Sequence, residues 1–318
     1  MDVQFPVIYA VKNTDDLVRN MSSSGGFFYI LTKWIIERNG IVFGAKFDQE
    51  FKVIHSKAAN MDEVIDFLGS KYVQSSLGDC FYEVKVALNS NRLVLFSGTP
   101  CQVEGLHSYL GKKYHNLITV DLICHGVPSP KVWKEYLNQI SCGRKLKSIS
   151  FRDKTDGWID YSMKINYSDG GTYRKSKDDD PFMKGFLADL YLRPSCYECK
   201  FRGVKRKSDF TLGDFWGARK HMPFIFDDKG VSLVLIHSKP GLELFKECSE
   251  QLVCESVELE VALMSNRSLV LSCKKPHKRD AFFREDIASI NVAKRVDELT
   301  KKSYVNRLKQ SIQSLKVY

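Results

Sequence analysis

The feature that most constrains this chain is a pair of cysteines, Cys196 and Cys199, which stand three positions apart just after Pro194. At a turn, this spacing brings two sulfur atoms together on one zinc ion or iron–sulfur cluster, or into a redox disulfide. One pair supplies only two of the four thiolates that a closed metal site needs. A metal site therefore requires two further ligands elsewhere in the chain.

Two other cysteines occupy matching positions upstream. Cys101 follows an apolar run at 92–97 and Cys124 follows another at 117–123, and both runs predict buried strands. A helix predicted at 102–110 completes a β-α-β unit, in which the two strands are parallel. Because open α/β sheets place their sites at the carboxyl ends of the strands, we expect Cys101 and Cys124 to be neighbours.

The spacing alone leaves structural zinc and [4Fe–4S] open. Zinc sites usually combine two close pairs, whereas here one pair is close and the other two cysteines stand singly on distant turns. This dispersion favours a cluster held inside the fold. His125 is interpreted as a loop residue beside the site, with a metal ligand as the alternative. Packing or surface roles are predicted for the remaining thiols, Cys80, Cys142, Cys248, Cys254 and Cys273.

Two polar segments are candidates for binding a phosphorylated ligand. A Ser/Gly-rich loop precedes an apolar helix predicted at 27–36, so its free N–H groups suit an anion, although an ordinary serine N-cap is the alternative. The segment 69–75 combines a cation, an aromatic ring and an amide, and its alternative is a plain polar loop. The candidate residues are Ser22, Ser23, Ser24, Gly25 and Gly26 in the loop, and Ser70, Lys71, Tyr72 and Gln74 in the segment.

Alternating polar and apolar residues at 148–153, 161–167 and 171–174 predict antiparallel strands. An apolar helix is predicted at 182–192, leading into the Cys-x-x-Cys turn, and the pattern after 276 is charged and helical. The predicted fold is therefore α/β, with a mixed sheet containing β-α-β units, an antiparallel strand insertion and a helical C-terminal tail.

Composition narrows the class of protein. The chain has 318 residues and a net charge of +10, without an 18-residue apolar run or a signal-peptide pattern at its start. We therefore expect no membrane span, a cytoplasmic location, and cysteines that are reduced or metal-bound.

The basic balance lacks a nucleic-acid recognition pattern, so no nucleic-acid partner is expected. A Ser-His-Asp triad, a P-loop and a Gly-x-Gly-x-x-Gly fingerprint are also missing from the sequence, which disfavours hydrolases, kinases and Rossmann dehydrogenases.

Several motifs together resemble the coenzyme F420 hydrogenase/dehydrogenase beta-subunit family. They are Ser-Gly-Thr-Pro-Cys-Gln at 97–102, Asp-Leu-Ile-Cys-His-Gly-Val-Pro-Ser-Pro at 121–130, Cys-Tyr-Glu-Cys at 196–199 and Thr-Leu-Gly-Asp-Phe-Trp-Gly at 211–217. The resemblance implies an oxidoreductase that passes electrons between a flavin or deazaflavin and a [4Fe–4S] cluster. It implies FAD or FMN as the flavin, with coenzyme F420 as a further candidate.

The resemblance also implies site residues and a division of the chain. The metal ligands would be Cys101, Cys124, Cys196 and Cys199, and the cofactor contacts would add Gly98, Thr99 and Asp214 to the two polar segments, with Trp216 at the pocket rim. The parts would be a flavin-binding part at 1–100, a cluster-binding part at 101–275 and the tail at 276–318. Neither a substrate nor a catalytic acid or base is predicted.

Many family members carry an amino-terminal ferredoxin-like module, and this sequence starts at the segment that follows it. A separate ferredoxin or partner subunit is therefore expected to exchange electrons. The basic stretch Lys200, Arg202, Lys205, Arg206 and Lys207 is expected to steer that partner. The alternative is a zinc-stabilised, non-catalytic binding protein accessory to polysaccharide biosynthesis, since some bacterial relatives are encoded among polysaccharide genes.

Overall fold

The structure is a computed structural model that describes residues 4–301. Its strands are β1 (Val7–Asn13), β2 (Ile41–Phe47), β3 (Val53–Ala58), β4 (Val94–Ser97), β5 (Leu117–Leu122), β6 (Leu146–Asp153), β7 (Ser162–Tyr167), β8 (Thr172–Ser176), β9 (Phe210–Asp214), β10 (Ser232–Ile236) and β11 (Leu252–Ser256). Its α-helices are α1 (Asp16–Met21), α2 (Phe27–Glu37), α3 (Met61–Ile65), α4 (Cys80–Asn89), α5 (Pro100–Leu110), α6 (Pro130–Ser141), α7 (Pro181–Leu187), α8 (Ala218–His221), α9 (Lys239–Cys248), α10 (Leu259–Ser265), α11 (Arg279–Phe282) and α12 (Val292–Thr300).

An eight-stranded mixed sheet forms the centre of the fold. Its strand order is β11-β1-β10-β9-β5-β4-β2-β3, and the pairs β2–β4, β4–β5 and β5–β9 are parallel. The predicted β-α-β unit is therefore confirmed: β4 and β5 are direct neighbours in the sheet, and α5 lies between them in the sequence. The central strands are buried on both faces, which explains their continuous apolar runs.

Three parallel strands, β4, β5 and β9, end at the same edge of this sheet. Ser97 ends β4, Leu122 ends β5 and Asp214 ends β9. Pro100 at the start of α5 and Pro130 at the start of α6 fit the first helical turn, where the missing N–H costs no hydrogen bond. The chain therefore leaves each strand through a short loop, and these loops form one side of the site.

The predicted antiparallel insertion is a three-stranded sheet in the order β6-β7-β8. Its buried side chains, Phe151, Met163 and Ile165, join the core that also contains Trp133 and Phe182. Trp133 and Phe182 lie edge to face, with ring centroids 4.9 Å apart. This aromatic core holds α6, α7 and the small sheet together.

The helix predicted at 182–192 is shorter in the structure, since α7 ends at Leu187. Asp189 adopts a left-handed backbone with φ of 58°, and Leu190 donates its N–H back to the Gly185 carbonyl at 3.0 Å. Gly185 is needed here because a Cβ atom would lie 2.4 Å from the ring of Tyr191. The reversal carries the chain toward Cys196.

The carboxyl-terminal helices pack onto the body of the protein. Phe282, Val292 and Val296 are fully buried in the same core as Trp133. The helical tail predicted from 276 thus contributes these side chains to the core, and its remainder, 302–318, lies outside the described residues.

The main sheet combines strands from both sides of residue 100, which is also where α5 begins. The boundary predicted at residue 100 therefore does not coincide with a break in the sheet, and the flavin-binding and cluster-binding parts remain a functional prediction. Among residues 4–301, no helix has the length and apolar character needed to cross a membrane.

Candidate functional site

A cavity of about 770 Å³ opens where β4, β5 and β9 end. Its volume falls in the range of pockets that bury a cofactor or a drug-sized ligand. The loops after all three strands line it, together with the segment 67–77 and the loop before α2. The placement agrees with the rule that open α/β sheets bind ligands at the carboxyl ends of their strands.

Most of the residues singled out from the sequence line this one cavity. They are Cys101 and Cys124 of the proposed metal ligands, and Ser22, Ser23, Ser24, Gly26, Ser70, Lys71, Tyr72, Gln74, Gly98, Thr99 and Asp214 of the proposed cofactor contacts. Gly25, Cys196 and Cys199 do not line it. Segments far apart in sequence thus meet at one opening, and whether they bind a cofactor stays a prediction.

Cys101 and Cys124 lie at the ends of neighbouring strands, as expected. The hydroxyl of Thr99 lies 3.1 Å from the sulfur of Cys101. Burial raises the pKa of Cys124 to about 12; the positive charge of Arg202 opposes this effect, and the nearby thiols of Cys196 and Cys101 add to it. A bound metal centre would supply further positive charge to stabilise the thiolate.

The Cys-x-x-Cys turn approaches the loop after β5. Gly126, with φ of 148°, packs against Leu192, since a Cβ atom at residue 126 would lie 2.8 Å from Leu192 Cδ1 and 3.4 Å from Cys196 Cβ. Cys199 donates its N–H to the Ser272 hydroxyl at 3.1 Å. Burial raises the pKa of Cys196, with smaller contributions from Cys101, Cys199 and Cys273.

A mononuclear zinc site needs sulfur atoms that lie close together. A tetrahedral zinc ion with Zn–S bonds of about 2.3 Å holds its sulfurs roughly 3.8 Å apart. Between positions 4 and 301, the one group of three or more possible ligand side chains whose ligating atoms lie within 4.8 Å of one another is His125, Asp189 and Cys273. No three of the four proposed cysteine ligands therefore have ligating sulfur atoms within 4.8 Å of one another.

The group of His125, Asp189 and Cys273 was not found from the sequence. His125 Nε2 lies 2.6 Å from the Asp189 carboxylate, and Cys273 donates to the His125 carbonyl. Burial lowers the pKa of His125, but Asp189 and Cys273 outweigh it and raise that pKa to about 9. Cys273 thus lies next to the Cys196 turn rather than on an unrelated surface, and no spacing signal in the sequence places it there.

The loop before α2 presents helix N–H groups to the cavity. Gly26, with φ of 88°, is the N-cap of α2, and no side chain of the described residues caps this end. Gly26, Phe27 and Phe28 all line the cavity. Uncapped N–H groups at a helix start, with the positive end of the helix dipole, suit a phosphate.

Gly25 has a different role from the one expected. A Cβ atom at residue 25 would lie 2.1 Å from the Val11 carbonyl oxygen and 2.7 Å from the Ser232 nitrogen. The lack of a side chain is therefore required by the packing of the loop against β1 and β10. Gly26, and not Gly25, is the residue with positive φ.

Hydrogen bonds join the loops of the cavity. Ser70 donates to the Ser23 hydroxyl at 2.8 Å, and Gln102 donates to the Ser75 hydroxyl at 2.8 Å. Lys71 donates to the carbonyls of Leu68 at 2.9 Å and Gly69 at 3.2 Å. Burial lowers the pKa of Lys71 to about 7, against a smaller opposing effect of Asp66. Lys71 therefore changes charge close to neutral pH.

A buried cluster around Asp214 was also missed from the sequence. Arg152, 5% exposed, donates to Asp214 at 2.9 Å, and the indole N–H of Trp158 donates to the same carboxylate at 3.1 Å. Trp158 stacks on Trp216 with ring centroids 5.0 Å apart. Arg152 lies on β6 and Trp158 in the loop between β6 and β7, so only the tertiary structure brings them to the end of β9.

Comparison with known proteins agrees with this architecture. A family model that describes the C terminus of the coenzyme F420 hydrogenase/dehydrogenase beta subunit matches residues 91–261, and no curated protein matched the sequence. The fold is similar to that of a chain in the F420-reducing [NiFe] hydrogenase complex from Methanosarcina barkeri, which was solved after xenon derivatization. That likeness has a TM-score of 0.57 at 16% identity and covers 84% of this chain and 89% of that one. An identity this low shows a shared fold alone.

The family model spans more than half of the chain, including the cysteine motifs, and the protein therefore belongs to the family of coenzyme F420 hydrogenase/dehydrogenase beta subunits.

Proposed function

We propose that this protein is an iron–sulfur flavoprotein oxidoreductase, which exchanges electrons between a flavin in the cavity and a [4Fe–4S] cluster held by Cys101, Cys124, Cys196 and Cys199. The observation that carries the proposal is that one cavity is lined both by Cys101 and Cys124 and by residues of the two polar segments, 22–26 and 69–75. When bound, the flavin would supply two-electron chemistry and the cluster one-electron steps. The chain's own residues supply position and charge.

The residues present fit a flavin phosphate. The uncapped start of α2 and the Ser23 and Ser70 hydroxyls offer hydrogen-bond donors along one side of the cavity. Lys71 adds an amine whose hydrogen-bond acceptors are neutral backbone carbonyls. Coenzyme F420 or a related deazaflavin remains the candidate substrate that family membership suggests, and FAD and FMN are both compatible with the lining.

The residues also fit a cluster. The Thr99 hydroxyl lies 3.1 Å from the Cys101 sulfur, and Cys196 packs beside Gly126 in the loop that carries Cys124. The buried Cys124 thiol favours a site whose metal charge stabilises the thiolate. The dispersion of these cysteines, one close pair and two single residues on distant turns, favours the cluster over the zinc alternative, in which the protein would be a non-catalytic accessory of polysaccharide biosynthesis.

Anaerobic purification with analysis of iron, sulfide, zinc and flavin tests the proposal. We expect about four iron and four sulfide per chain, bound flavin, and broad visible absorption that bleaches on reduction. Stoichiometric zinc with neither iron nor flavin would establish the alternative.

Substitution of the cysteines assigns the ligands. Changing Cys101, Cys124, Cys196 or Cys199 to Ser should remove most of the bound iron, because each supplies one thiolate to the cluster. Cys254→Ser is the matched control, since Cys254 is a half-buried thiol on β11, away from the four. Cys273 is unsuitable as a control because it lies next to His125 and Cys196. Full iron retention in the Cys101 and Cys196 variants would refute the assignment.

A further inference from the structure

Three side chains of the kinds that bind metals meet next to the proposed cluster ligands. They are His125 in the loop after β5, Asp189 in the reversal after α7 and Cys273 in the loop between α10 and α11, and their nitrogen, oxygen and sulfur atoms lie within 4.8 Å of one another. We propose that these three residues form a site for a single zinc ion, in addition to the cluster. The inference goes beyond the proposed function and does not rest on it.

The donor atoms and their separations suit zinc. Imidazole nitrogen, carboxylate oxygen and thiolate sulfur all bind Zn²⁺, at about 2.0–2.3 Å, so a tetrahedral site holds its donor atoms roughly 3.3–3.8 Å apart. His125 Nε2 and the Asp189 carboxylate oxygen lie 2.6 Å apart and would have to separate by less than about 1 Å to hold an ion. A carboxylate and a thiolate with a neutral imidazole also balance the two charges of the ion.

The three groups are accessible to an ion. The side chains of His125 and Asp189 are 36% and 21% exposed, and Cys273 is half-buried. No lysine or arginine of residues 4–301 pairs with the Asp189 carboxylate, whose partner is His125. Arg202 donates instead to the backbone carbonyl of His125, at 2.8 Å. A permanent cation of the described chain therefore does not occupy the position that the zinc would take.

Contacts with neighbouring residues hold each ligand in place. The imidazole of His125 packs edge to face on Phe186, with ring centroids 5.1 Å apart. Asp189, at φ of 58°, donates its N–H to the Phe186 carbonyl at 3.0 Å, and its own carbonyl accepts from the Tyr197 hydroxyl at 2.5 Å. Cys273 donates to the His125 carbonyl at 2.6 Å. Contacts that orient the ligands in this way strengthen metal binding.

The zinc site is distinct from the cavity and from the four cysteines. Asp189 and Cys273 do not line the cavity, and Cys273 lies beyond residue 261, where the family match ends. His125 directly follows Cys124, and the residue before Cys273 accepts a hydrogen bond from the Cys199 N–H at 3.1 Å. Zinc would thus tie together segments that adjoin the proposed cluster ligands. Three protein ligands leave a fourth position for water.

Metal analysis of the anaerobic holoprotein tests the site. The protein is incubated with equimolar zinc and desalted, and zinc, iron and flavin are measured. We expect about one zinc per chain beyond the iron, and zinc-edge X-ray absorption should show one sulfur at about 2.3 Å with nitrogen and oxygen ligands at about 2.0–2.2 Å. Zinc surrounded by four sulfurs would occupy the four cysteines instead and would overturn the inference.

Substitution of two ligands tests their assignment. Asp189→Asn keeps the size of the side chain and suits the left-handed backbone, and Cys273→Ser exchanges a single atom. Because even the outer contacts of a ligand change metal affinity about 10–100-fold, each variant should bind zinc at least about tenfold more weakly in competition with a chelator. Iron and flavin content should stay at the parent level.

Asp228→Asn is the matched control, because Asp228 is also a half-buried aspartate with a left-handed backbone, at φ of 56°. It should bind zinc like the parent. Zinc that desalting removes from the parent, or that both ligand variants bind as tightly, would show an adventitious ion only and overturn the inference. Loss of iron together with zinc in Cys273→Ser would place Cys273 among the cluster ligands and would overturn it as well.

Discussion

At the scale of single residues, the burial and contacts of a side chain determine a role that its residue type alone does not. Lys71 is a lysine in a polar segment, yet its amine contacts two backbone carbonyls in a cavity and its pKa is lowered to about 7 by burial. Gly25 and Gly26 are adjacent glycines with different requirements, close packing in one and positive φ in the other. A substitution at Gly25 therefore tests the packing of the loop and not the binding of a phosphate.

Lys71→Met tests the flavin contact instead. We expect the parent to bind FAD more tightly at pH 6.5 than at pH 8.5, because the amine of the free protein is protonated only below about pH 7. The variant should bind FAD about tenfold more weakly at pH 6.5 and lose most of the pH dependence. Isothermal titration of the flavin-free protein measures both.

The control for this experiment is Lys46→Met. Lys46 lies on β2 and forms a salt bridge with Asp66 at 3.6 Å, but it does not line the cavity. FAD affinity should be unchanged in the control. Parent-like affinity of the Lys71 variant at both pH values would remove Lys71 from the flavin site.

At the scale of elements, polar groups buried between strands connect the site to the sheet. Asp121 on β5 accepts a hydrogen bond from Thr211 on β9 at 2.5 Å, and Thr211 lies 2.8 Å from His237 at the end of β10. Arg206 pairs with Asp121 at 3.4 Å, with both side chains at most 5% exposed. Arg206 is therefore a structural cation, contrary to the expectation that it steers a partner.

The network predicts a pH dependence of stability. Burial, with the nearby charge of Arg206, lowers the pKa of His237 to about 4. Between about pH 6.5 and 4 the unfolded chain takes up a proton that the folded chain does not. The contribution of His237 to the free energy of unfolding is therefore fully present above pH 6.5 and is lost as pH falls toward 4. His237→Gln should remove about 1–3 kcal/mol of the acid-induced loss in the free energy of unfolding.

Urea unfolding of parent and variant at pH 4.5 and 7 measures this difference. Asp121, whose pKa burial raises to about 6, acts in the opposite direction, so the comparison with the variant isolates the histidine. His115→Gln, at an exposed position, is the control and should follow the parent. Parallel pH profiles for parent and His237 variant would contradict the prediction.

The carboxyl-terminal helices give a second prediction at this scale. Phe282 is fully buried and its ring lies 5.2 Å from that of Tyr191, which packs on Gly185. Phe282→Ala should lower the free energy of unfolding by about 3–5 kcal/mol, because it leaves a cavity in a well-packed core. Urea unfolding measures the change. Phe283→Ala, at a half-buried position, is the matched control and should give a smaller loss. Equal losses at the two positions would mean that α11 does not anchor the core as described.

At the scale of the whole molecule, the net charge of +10 is distributed between internal pairs and free surface cations. Of the basic stretch after Cys199, Arg202 donates to the His125 carbonyl at 2.8 Å, Arg206 is paired internally, and Lys207 pairs with Glu104 at 2.6 Å. Lys200 and Lys205 are exposed and form no salt bridge with any described residue. The steering surface proposed for a redox partner is therefore reduced to these two lysines.

Reversing the charge of Lys200 and Lys205 together to Glu should slow electron transfer from a reduced, acidic ferredoxin. The parent rate should also fall as salt rises, since screening acts over roughly 8 Å at physiological ionic strength. Stopped-flow reduction of the holoprotein at several salt concentrations measures both effects.

Lys112 and Lys113 provide the matched control pair. They are exposed just after α5 ends, at the opposite edge of the sheet from Cys101, because α5 runs back from the carboxyl end of β4. Their reversal to Glu should leave the rate unchanged. If both double variants slow equally, net charge alone matters and the partner docks elsewhere.

Part of the fold and of the candidate site could be predicted from the sequence, because local patterns of apolar and polar residues determine it. The apolar runs before Cys101 and Cys124, with the intervening helix, determine a β-α-β unit, and parallel strands necessarily bring those cysteines to one edge. The alternation from 148 to 174 likewise predicts the small antiparallel sheet. The motifs, taken together, were enough to recognise the family.

The tertiary structure decided what depends on contacts distant in sequence. That β9 lies parallel beside β5, and so brings Asp214 to the same edge, follows from sheet order, which no local pattern encodes. The pairing of Arg152 with Asp214, the burial of Arg206 and the contact of Cys273 with His125 arise in the same way. Each of these features depends on how the whole chain packs, because the charge, hydrogen bonds and burial of a side chain are determined by its neighbours in space.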